Sequence, residues 1–199
     1  MLLKKRNTDG VITVVDRQPQ ALATAETLGC QTISMDAIAF LTTPSHHISP
    51  DDWIVPVVPI HVAHAWLMAG NKSDFQLKET SVPDSIAAQI PNPMWGDNGQ
   101  VYTSIATFHC PQDCSEPTNL CTLTGKPRPL TLWEKLSSLN LPGFHPICIR
   151  SHQMAPGVGG FQFKALLQAR QVIKTNHGKF LLSTACKCHG VINGLAHEI

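Results

Sequence analysis

Five of the seven cysteines in this 199-residue chain lie in two short segments. Cys110, Cys114 and Cys121 form the first group, and the second is the sequence Cys186-Lys-Cys188-His189. Thiolates gathered in this way typically bind zinc or an iron–sulfur cluster, or take part in redox chemistry. Zinc also accepts imidazole nitrogen, whereas a [4Fe–4S] cluster prefers thiolate. The two groups therefore predict a zinc or [4Fe–4S] site whose ligands come from Cys110, Cys114, Cys121, Cys186, Cys188 and His189.

A thiol-dependent enzyme is an alternative that the cysteines leave open. The first group has the spacing C-x3-C-x6-C, which differs from the C-x2-C pairs of zinc ribbons and thioredoxin-like proteins. In an extended segment Cys186 and Cys188 point to the same side. The charge of Lys187 and the N-terminus of a helix predicted over 190–197 would lower the pKa values of their thiols. Either cysteine could then act as a nucleophile, so the question of enzymatic activity stays open.

The other cysteines and a pair of histidines are expected to be structural. Cys30 and Cys148 each lie in or beside a predicted strand, which is typical of small buried side chains. His61 and His64 lie three residues apart on a helix predicted over 61–69. Two partly exposed histidines are more common in that arrangement than a metal-binding pair.

The composition of the chain argues against several classes of partner. Fifteen Lys and Arg balance 14 Asp and Glu, and no basic stripe is present, so nucleic acid is not expected as a partner. No apolar run approaches the ~20 residues of a membrane-spanning helix, and the N-terminal segment lacks the apolar centre of a signal peptide. These features predict a cytoplasmic protein, in which reduced thiols act as ligands or catalysts. The expected partner is a small molecule or a metal, and a homo-oligomer is compatible with the sequence.

Strands and helices alternate along the first third of the chain. Residues 11–15 and 31–35 are predicted strands, and helices are predicted after Pro19 and over 37–41. This alternation is typical of parallel sheets covered by helices. We therefore expect a Rossmann-like, mostly parallel α/β sheet with helices on both faces, plus a cysteine-rich metal-binding loop region. Residues 1–70 would form a degenerate Rossmann-like half and residues 71–199 an α/β region with the cysteine site, as two domains or one continuous domain.

The sequence VITVVDRQPQALATAETLGCQTISMDA resembles the middle of a Rossmann-type NAD-binding domain. It is most similar to the nucleotide-binding domains that regulate potassium channels and potassium-uptake systems. The resemblance implies that Asp16 meets the adenosine ribose and that Asp36 lies near the adenine. The first strand and the G-x-G-x-x-G loop of that family, which would precede Val11, are missing. Either the cofactor has been lost or the chain begins later than its relatives, and this argues against NAD as a cofactor. A nucleotide-binding regulatory module without catalysis stays a second alternative.

A later set of elements is predicted to bring the two cysteine groups together. Residues 144–149 and 179–183 are predicted strands, joined through the segment SHQMAPGVGG and a helix over 161–175. If these strands are parallel neighbours, the segments that follow them leave the sheet at one edge, where α/β sheets bind ligands. A further predicted strand, over 101–108, leads directly into the first cysteine group. His152 and both groups of cysteines would then share one neighbourhood.

The glycine-rich segment is a candidate anion site. Gly157, Gly159 and Gly160 precede a predicted helix and could bind an anionic cofactor through backbone N–H groups, although a flexible turn fits the same pattern. Taken together, the motifs FHCPQDCSEP, CTLTG, RSHQMAPGVGG and STACKCHG resemble those of an uncharacterised bacterial family. None of these motifs identifies a reaction.

Overall fold

A computed structural model describes residues 10–70, 76–116 and 119–197, and the chain divides into two units, Met1–Ile48 and Ser49–Ile199. The described part of unit 1 contains β1 (Thr13–Asp16), α1 (Pro19–Thr27), β2 (Gln31–Ser34), α2 (Ala37–Thr42) and a 3-10 helix (Pro44–His46). β1 and β2 pair in parallel, with Val15 opposite Ile33. Pro19 begins α1, where its missing N–H costs no hydrogen bond. The strand–helix–strand–helix order predicted for this segment is confirmed.

The short helix α2 depends on the side chain that precedes it. Oδ1 of Asp36 accepts hydrogen bonds from the backbone N–H groups of Ile38, at 3.0 Å, and Ala39, at 3.1 Å. These N–H groups lie in the first turn, where a helix offers them no carbonyl partner. Asp36 is therefore the N-cap of α2.

Replacing Asp36 by alanine is expected to destabilise α2 locally. Two first-turn N–H groups lose their acceptor, which costs about 0.5–2 kcal/mol and should speed amide exchange in α2 by roughly 2- to 30-fold. Asp36→Asn is the matched control, because asparagine caps helices about as well as aspartate. Hydrogen exchange followed by mass spectrometry measures both variants. Equal protection of α2 in Asp36→Ala and the wild type would contradict the assignment.

Unit 2 is built mainly from strands. Its described strands are β3 (Trp53–Ile54), β4 (Leu77–Thr80), β5 (Met94–Trp95), β6 (Val101–Ser104), β7 (Phe144–Arg150), β8 (His152–Ala155), β9 (Val158–Gln162), β10 (Gly178–Ala185) and β11 (His189–His197). Its described helices are α3 (Val62–Ala69), α4 (Leu132–Ser137), α5 (Phe163–Thr175) and a 3-10 helix (Asp84–Ala88). None of the helices in the described part of the chain combines the length and the apolarity needed to cross a membrane.

The strands of unit 2 form two mostly antiparallel sheets. The larger sheet has the order β5-β6-β11-β10-β7, with β4 also paired to β11, and the smaller has the order β3-β9-β8. Among the described strands of this unit only β7 and β10 are parallel neighbours. The fold is therefore mixed α/β with mostly antiparallel sheets, and the predicted Rossmann-like, mostly parallel sheet with helices on both faces is wrong. The predicted parallel pairing of β7 with β10 is confirmed.

Two misassigned segments account for the error. Residues 190–197, predicted as a helix, belong to β11, which pairs along its length with β10. The segment SHQMAPGVGG, predicted as a loop that leads into a helix, contains the β8–β9 hairpin. A short apolar run does not distinguish a strand from a helix without its long-range partners. In each case, antiparallel strands were predicted as a helix or as a loop before a helix, and these elements are typical of parallel sheets.

The main core of unit 2 fixes the edge at which the cysteines lie. Leu132 and Leu136 of α4 are fully buried against Leu181, Ala185 and Ile192 of the larger sheet. Burial of each large apolar side chain contributes roughly 1.5–3 kcal/mol. This packing fixes the ends of β7 and β10, and the cysteine-bearing segments extend from there.

Candidate functional site

A cavity of about 620 Å³ lies beside the ends of β7 and β10 in unit 2. Three parts of the chain supply most of its lining: the cysteine loop, which we define as residues 105–129, the segment 151–161, and the turn Cys186–Cys188 with the start of β11. Pro56, Tyr102, Thr184 and Ala185 complete it. Seven predicted neighbours are among the lining residues, namely Cys110, Cys114, Cys121, His152, Cys186, Cys188 and His189. The structure thus brings both cysteine groups to one place, at the edge from which the parallel strands β7 and β10 direct their following segments.

The turn between β10 and β11 is held by four backbone groups. Cys186 N–H donates to the carbonyl of His189 at 2.9 Å, and Lys187 N–H donates to Oε1 of Glu116 at 2.7 Å. Leu132 N–H donates to the carbonyl of Lys187 and Ile105 N–H to that of Cys188, both at 2.9 Å. The turn is therefore tied to α4, to the segment after β6 and to the cysteine loop. Because β11 follows the turn, the predicted helix dipole at Cys186 and Cys188 is wrong.

Backbone N–H groups point at three of the cysteine sulfurs. Sγ of Cys186 accepts from the N–H groups of Cys188, at 3.4 Å, and His189, at 3.3 Å. Sγ of Cys114 accepts from Glu116 N–H at 3.4 Å. The sulfur of Cys121 receives hydrogen bonds from the Thr124 hydroxyl and from nearby backbone N–H groups, which lower its pKa. Donors placed in this way stabilise the negative charge of a thiolate.

The thiols also influence one another electrostatically. Burial raises the pKa of Cys110, and the nearby charges of Cys114, Cys188 and Cys121 raise it further. Burial likewise raises the pKa of Cys188, against the effect of Arg128, whose Nε donates to the Cys188 sulfur at 2.9 Å. Thiolates at Cys114, Cys121 and Cys188 would therefore repel a thiolate at Cys110. A bound cation would relieve that repulsion.

Cys186 has a different environment within the same cavity. Burial raises its pKa to about 12, and the neighbouring Glu116 carboxylate acts in the same direction. Its sulfur lies 3.9 Å from Nδ1 of His189. Glu116 also acts on His189 and on His152, in each case against the pKa-lowering effect of burial. Cys186, His189 and Glu116 therefore lie close to one another, and the charge of Glu116 also acts on Cys188.

Sequence reasoning missed three residues of the site. Glu116 joins the cysteine loop to the β10–β11 turn, Arg128 contacts the sulfur of Cys188, and Nε2 of Gln153 donates to the carbonyl of Cys114. An acidic residue two positions after Cys114 was a visible signal for Glu116. The contacts of Arg128 and Gln153 join positions 60 and 39 residues apart, so no local pattern marks them.

The expectation that the glycine-rich segment leads directly into a helix is wrong, while anion binding by Gly157, Gly159 and Gly160 stays a prediction. Gly159 and Gly160 lie in β9, opposite Gln153 and His152 of β8, and α5 begins only after β9 ends. Gly157 N–H donates to the carbonyl of Cys114 at 3.0 Å, so it is already used within the protein. The turn of this hairpin instead supports the cysteine loop.

The two acidic residues predicted to contact a nucleotide belong to unit 1. Oδ1 of Asp16 accepts from Gln18 N–H at 2.8 Å, and the carboxylate of Asp36 caps α2. The residues that line the cavity all belong to unit 2. Nucleotide binding by Asp16 and Asp36 stays a prediction.

The donor atoms do not form a ready-made coordination shell. Across residues 10–70, 76–116 and 119–197, no three His, Cys, Asp or Glu side chains are grouped as a metal site in their present rotamers. All seven cysteines are free and partly buried. Binding of an ion would therefore require the donor side chains to move from their present positions.

Comparison with known proteins places the candidate site in a shared region. Residues 61–198 match the model of the family AF_1314_C, described as "Uncharacterized protein, C-terminal domain". A protein of Archaeoglobus fulgidus described as "Uncharacterized protein" is 28% identical over 206 residues, which cover 97% of this chain and 91% of the relative. No solved structure matches the chain. All six predicted metal ligands lie within the range matched by the family.

Proposed function

We propose that this chain, which belongs to the AF_1314_C family, binds zinc or a [4Fe–4S] cluster in the cavity of unit 2 and uses it in a redox or sensing role. The ligands come from the predicted set Cys110, Cys114, Cys121, Cys186, Cys188 and His189. The observation that carries the proposal is that Cys110, Cys114, Cys121 and Cys188, four thiols from two distant segments of the chain, line one cavity, where the other three raise the pKa of Cys110. Four thiolates complete the coordination of zinc or of a four-iron cluster.

The surroundings of the thiols support metal binding over a purely structural role. Cys114, Cys121 and Cys186 each receive backbone N–H donors, and Cys188 receives a charge-assisted donor from Arg128. Such donors orient ligands and tune the electronic properties of a bound metal. Cys148 in β7, by contrast, packs against the main apolar core, and its polar contacts are the hydroxyls of Ser183 and Ser137 rather than backbone N–H groups.

A thiol-dependent enzyme that uses Cys186 as a nucleophile is less favoured. The attacking species is the thiolate, and burial raises the pKa of Cys186 to about 12. Only a very small fraction of this thiol would be ionised at neutral pH. A metal ion reverses this preference, because coordination removes the proton from a thiol.

Metal analysis of anaerobically purified protein tests the proposal. We expect at least one zinc, or one four-iron cluster with its visible absorption, per chain. Cys188→Ser and Cys110→Ser should lose this centre, whereas Cys30→Ser should retain it, because Cys30 belongs to unit 1. Protein that contains neither zinc nor iron after such a purification would overturn the proposal. The visible spectrum separates the two metals, since zinc is colourless.

A further inference from the structure

We infer that the cavity holds a second cation site, formed by Cys186, His189 and Glu116, whose open position faces the cavity. The inference rests on the proposed function, since it takes Cys110, Cys114, Cys121 and Cys188 as the ligands of the first centre. It adds Glu116 as a ligand, and it assigns Cys186 and His189 to a different centre from the four other cysteines. Sulfur, nitrogen and oxygen donors together suit Zn²⁺.

The spacing of Cys186 and His189 suits a shared ion. Their donor atoms, Sγ and Nδ1, are 3.9 Å apart. Two ligands of a tetrahedral zinc, with bonds of about 2.3 and 2.0–2.1 Å, stand roughly 3.5 Å apart. The observed separation is a few tenths of an ångström longer than this. The backbone of both residues is fixed by the hydrogen bond from Cys186 N–H to the His189 carbonyl.

Glu116 supplies the third donor, and its backbone is held in an unusual conformation. Its carboxylate lies within hydrogen-bonding reach of the Cys186 thiol. One of its oxygens accepts a hydrogen bond from Lys187 N–H at 2.7 Å, which orients the carboxylate. Metal-binding carboxylates are commonly oriented by hydrogen bonds of this kind. Glu116 has a φ of +44°, in the left-handed region that costs a residue with a Cβ roughly 1–2 kcal/mol. Such strain, placed at a cluster of donors, indicates a positioning requirement.

The two centres have different neighbours. The charge of Cys110 interacts with those of Cys114, Cys121 and Cys188, whereas Glu116 acts on Cys186 and also on Cys188, which lies between the two centres. A four-thiolate centre is closed, because all its positions are filled by protein. Three protein ligands leave one position open, as in zinc sites that bind water or a substrate. The second centre is therefore the one at which an outside molecule would bind.

The size of the cavity agrees with an open position. A volume of about 620 Å³ is far larger than a metal ion requires, and lies within the range of about 300–1,000 Å³ typical of small-molecule sites. Tyr102 and Phe108 contribute apolar wall, and His152 contributes a polar group near Glu116. The ligand class that fits is a small, partly apolar molecule that presents an oxygen, nitrogen or sulfur donor to the cation.

Counting bound cations tests the inference. Metal-free protein is reduced, titrated anaerobically with Zn²⁺, dialysed and analysed for zinc and protein. We expect two zinc ions per wild-type chain. Glu116→Gln and His189→Ala should each bind one cation fewer, with the apparent Kd of the second zinc weakened at least about tenfold. Glu134→Gln, an exposed glutamate on α4, is the matched control and should bind as the wild type does.

The variants also separate failure of the inference from failure of the proposed function. The Glu116→Gln amide oxygen can still accept from Lys187 N–H, so this variant keeps the link between the two cysteine segments. A single bound cation that Cys110→Ser loses and Glu116→Gln retains overturns the second site and leaves the first centre standing. A single cation that Glu116→Gln loses and Cys110→Ser retains supports the second site and overturns the four-thiol centre. Full retention of two cations by Glu116→Gln overturns the inference.

Discussion

The Gly157→Ala variant is expected to lose metal binding in the cavity while its main sheet stays folded. Gly157 has a φ of +72° and lies in the turn of the β8–β9 hairpin, directly under the cysteine loop. A Cβ added at this position would overlap the backbone carbonyl oxygen of Gln112. The backbone at Gly157 or the backbone at Gln112 would have to move, and either movement shifts the segment that carries Cys114. The hydrogen bond from Gly157 N–H to the Cys114 carbonyl would be lost with it.

The strain of the left-handed backbone has to be separated from the steric overlap. Gly143→Ala is the matched control, because Gly143 has a similar φ of +77° and no atoms within 4 Å of an added Cβ. It carries only the backbone penalty of about 1 kcal/mol. We expect Gly143→Ala to bind metal like the wild type and Gly157→Ala to bind it at least about tenfold more weakly. Circular dichroism should report an intact fold in both variants. Equal metal affinity in the two variants would contradict the role given to Gly157.

The elements that the sequence predicted correctly carry strong local signals. Pro19 at the start of α1 and the β-branched strand before Asp16 each act within a few residues. The apolar stripe of α5, with Leu166, Ala169 and Ile173 buried, repeats at helical spacing. Such signals depend on the backbone and on nearest neighbours, so a single sequence is enough to read them.

The fold class could not be read in the same way, because it depends on strand partners. Residues 190–197 have no clear period, and Gly190, Asn193 and Gly194 are all weak helix formers. The segment becomes β11 because β10 lies beside it after a three-residue turn, and because β6 and β4 pair with its other edge. Gly194 is needed there, since a Cβ at that position would overlap the carbonyl oxygen of Thr80. These are long-range constraints that no local pattern reports.

The location of the candidate site was predictable, but its internal arrangement was not. One parallel pair, β7 with β10, is sufficient to bring Cys186, Cys188 and His152 to one edge of the sheet. The environment of Cys186 and Cys188 depends in part on the carboxylate of Glu116, which contacts the turn across 71 positions of the sequence. Topology places segments, whereas side-chain contacts decide which donors work together.

Acidification from pH 6.5 to about 4 is expected to destabilise unit 2 through His61. The residue precedes α3 and is half-buried, and its ring is hydrogen-bonded on both sides: Nδ1–H donates to Oδ1 of Asn193 at 2.8 Å and Nε2 accepts from the Thr184 hydroxyl at 2.9 Å. The sequence pattern predicted a partly exposed histidine, and the intermediate exposure of His61 agrees with it. Burial lowers the pKa of His61 to about 4, and the nearby charge of His64 acts in the same direction against the hydrogen bond to Asn193.

The direction of the pH effect follows from the protons bound in each state. Above pH 6.5 His61 is neutral in both the folded and the unfolded chain, so its contribution does not change with pH. Between pH 6.5 and about 4 the unfolded chain takes up the proton while the folded chain does not, and stability falls as the pH falls. The difference between the two pKa values corresponds to about 3 kcal/mol lost by pH 4.

The comparison with a His61→Gln variant isolates this effect. Glutamine can still donate to Asn193 and accept from Thr184, but it does not titrate, so the variant should lose less stability on acidification. Urea unfolding of wild type and variant, both kept metal-free with a chelator, gives the free energy of unfolding at pH 7.5, 5.5 and 4.5. The difference between the two proteins cancels the titration of every other group that both share. We expect the free energy of unfolding of the wild type minus that of the variant to decrease steadily as the pH falls. A difference independent of pH would mean that folded His61 accepts its proton as readily as unfolded His61, which is incompatible with the half-buried, doubly hydrogen-bonded ring.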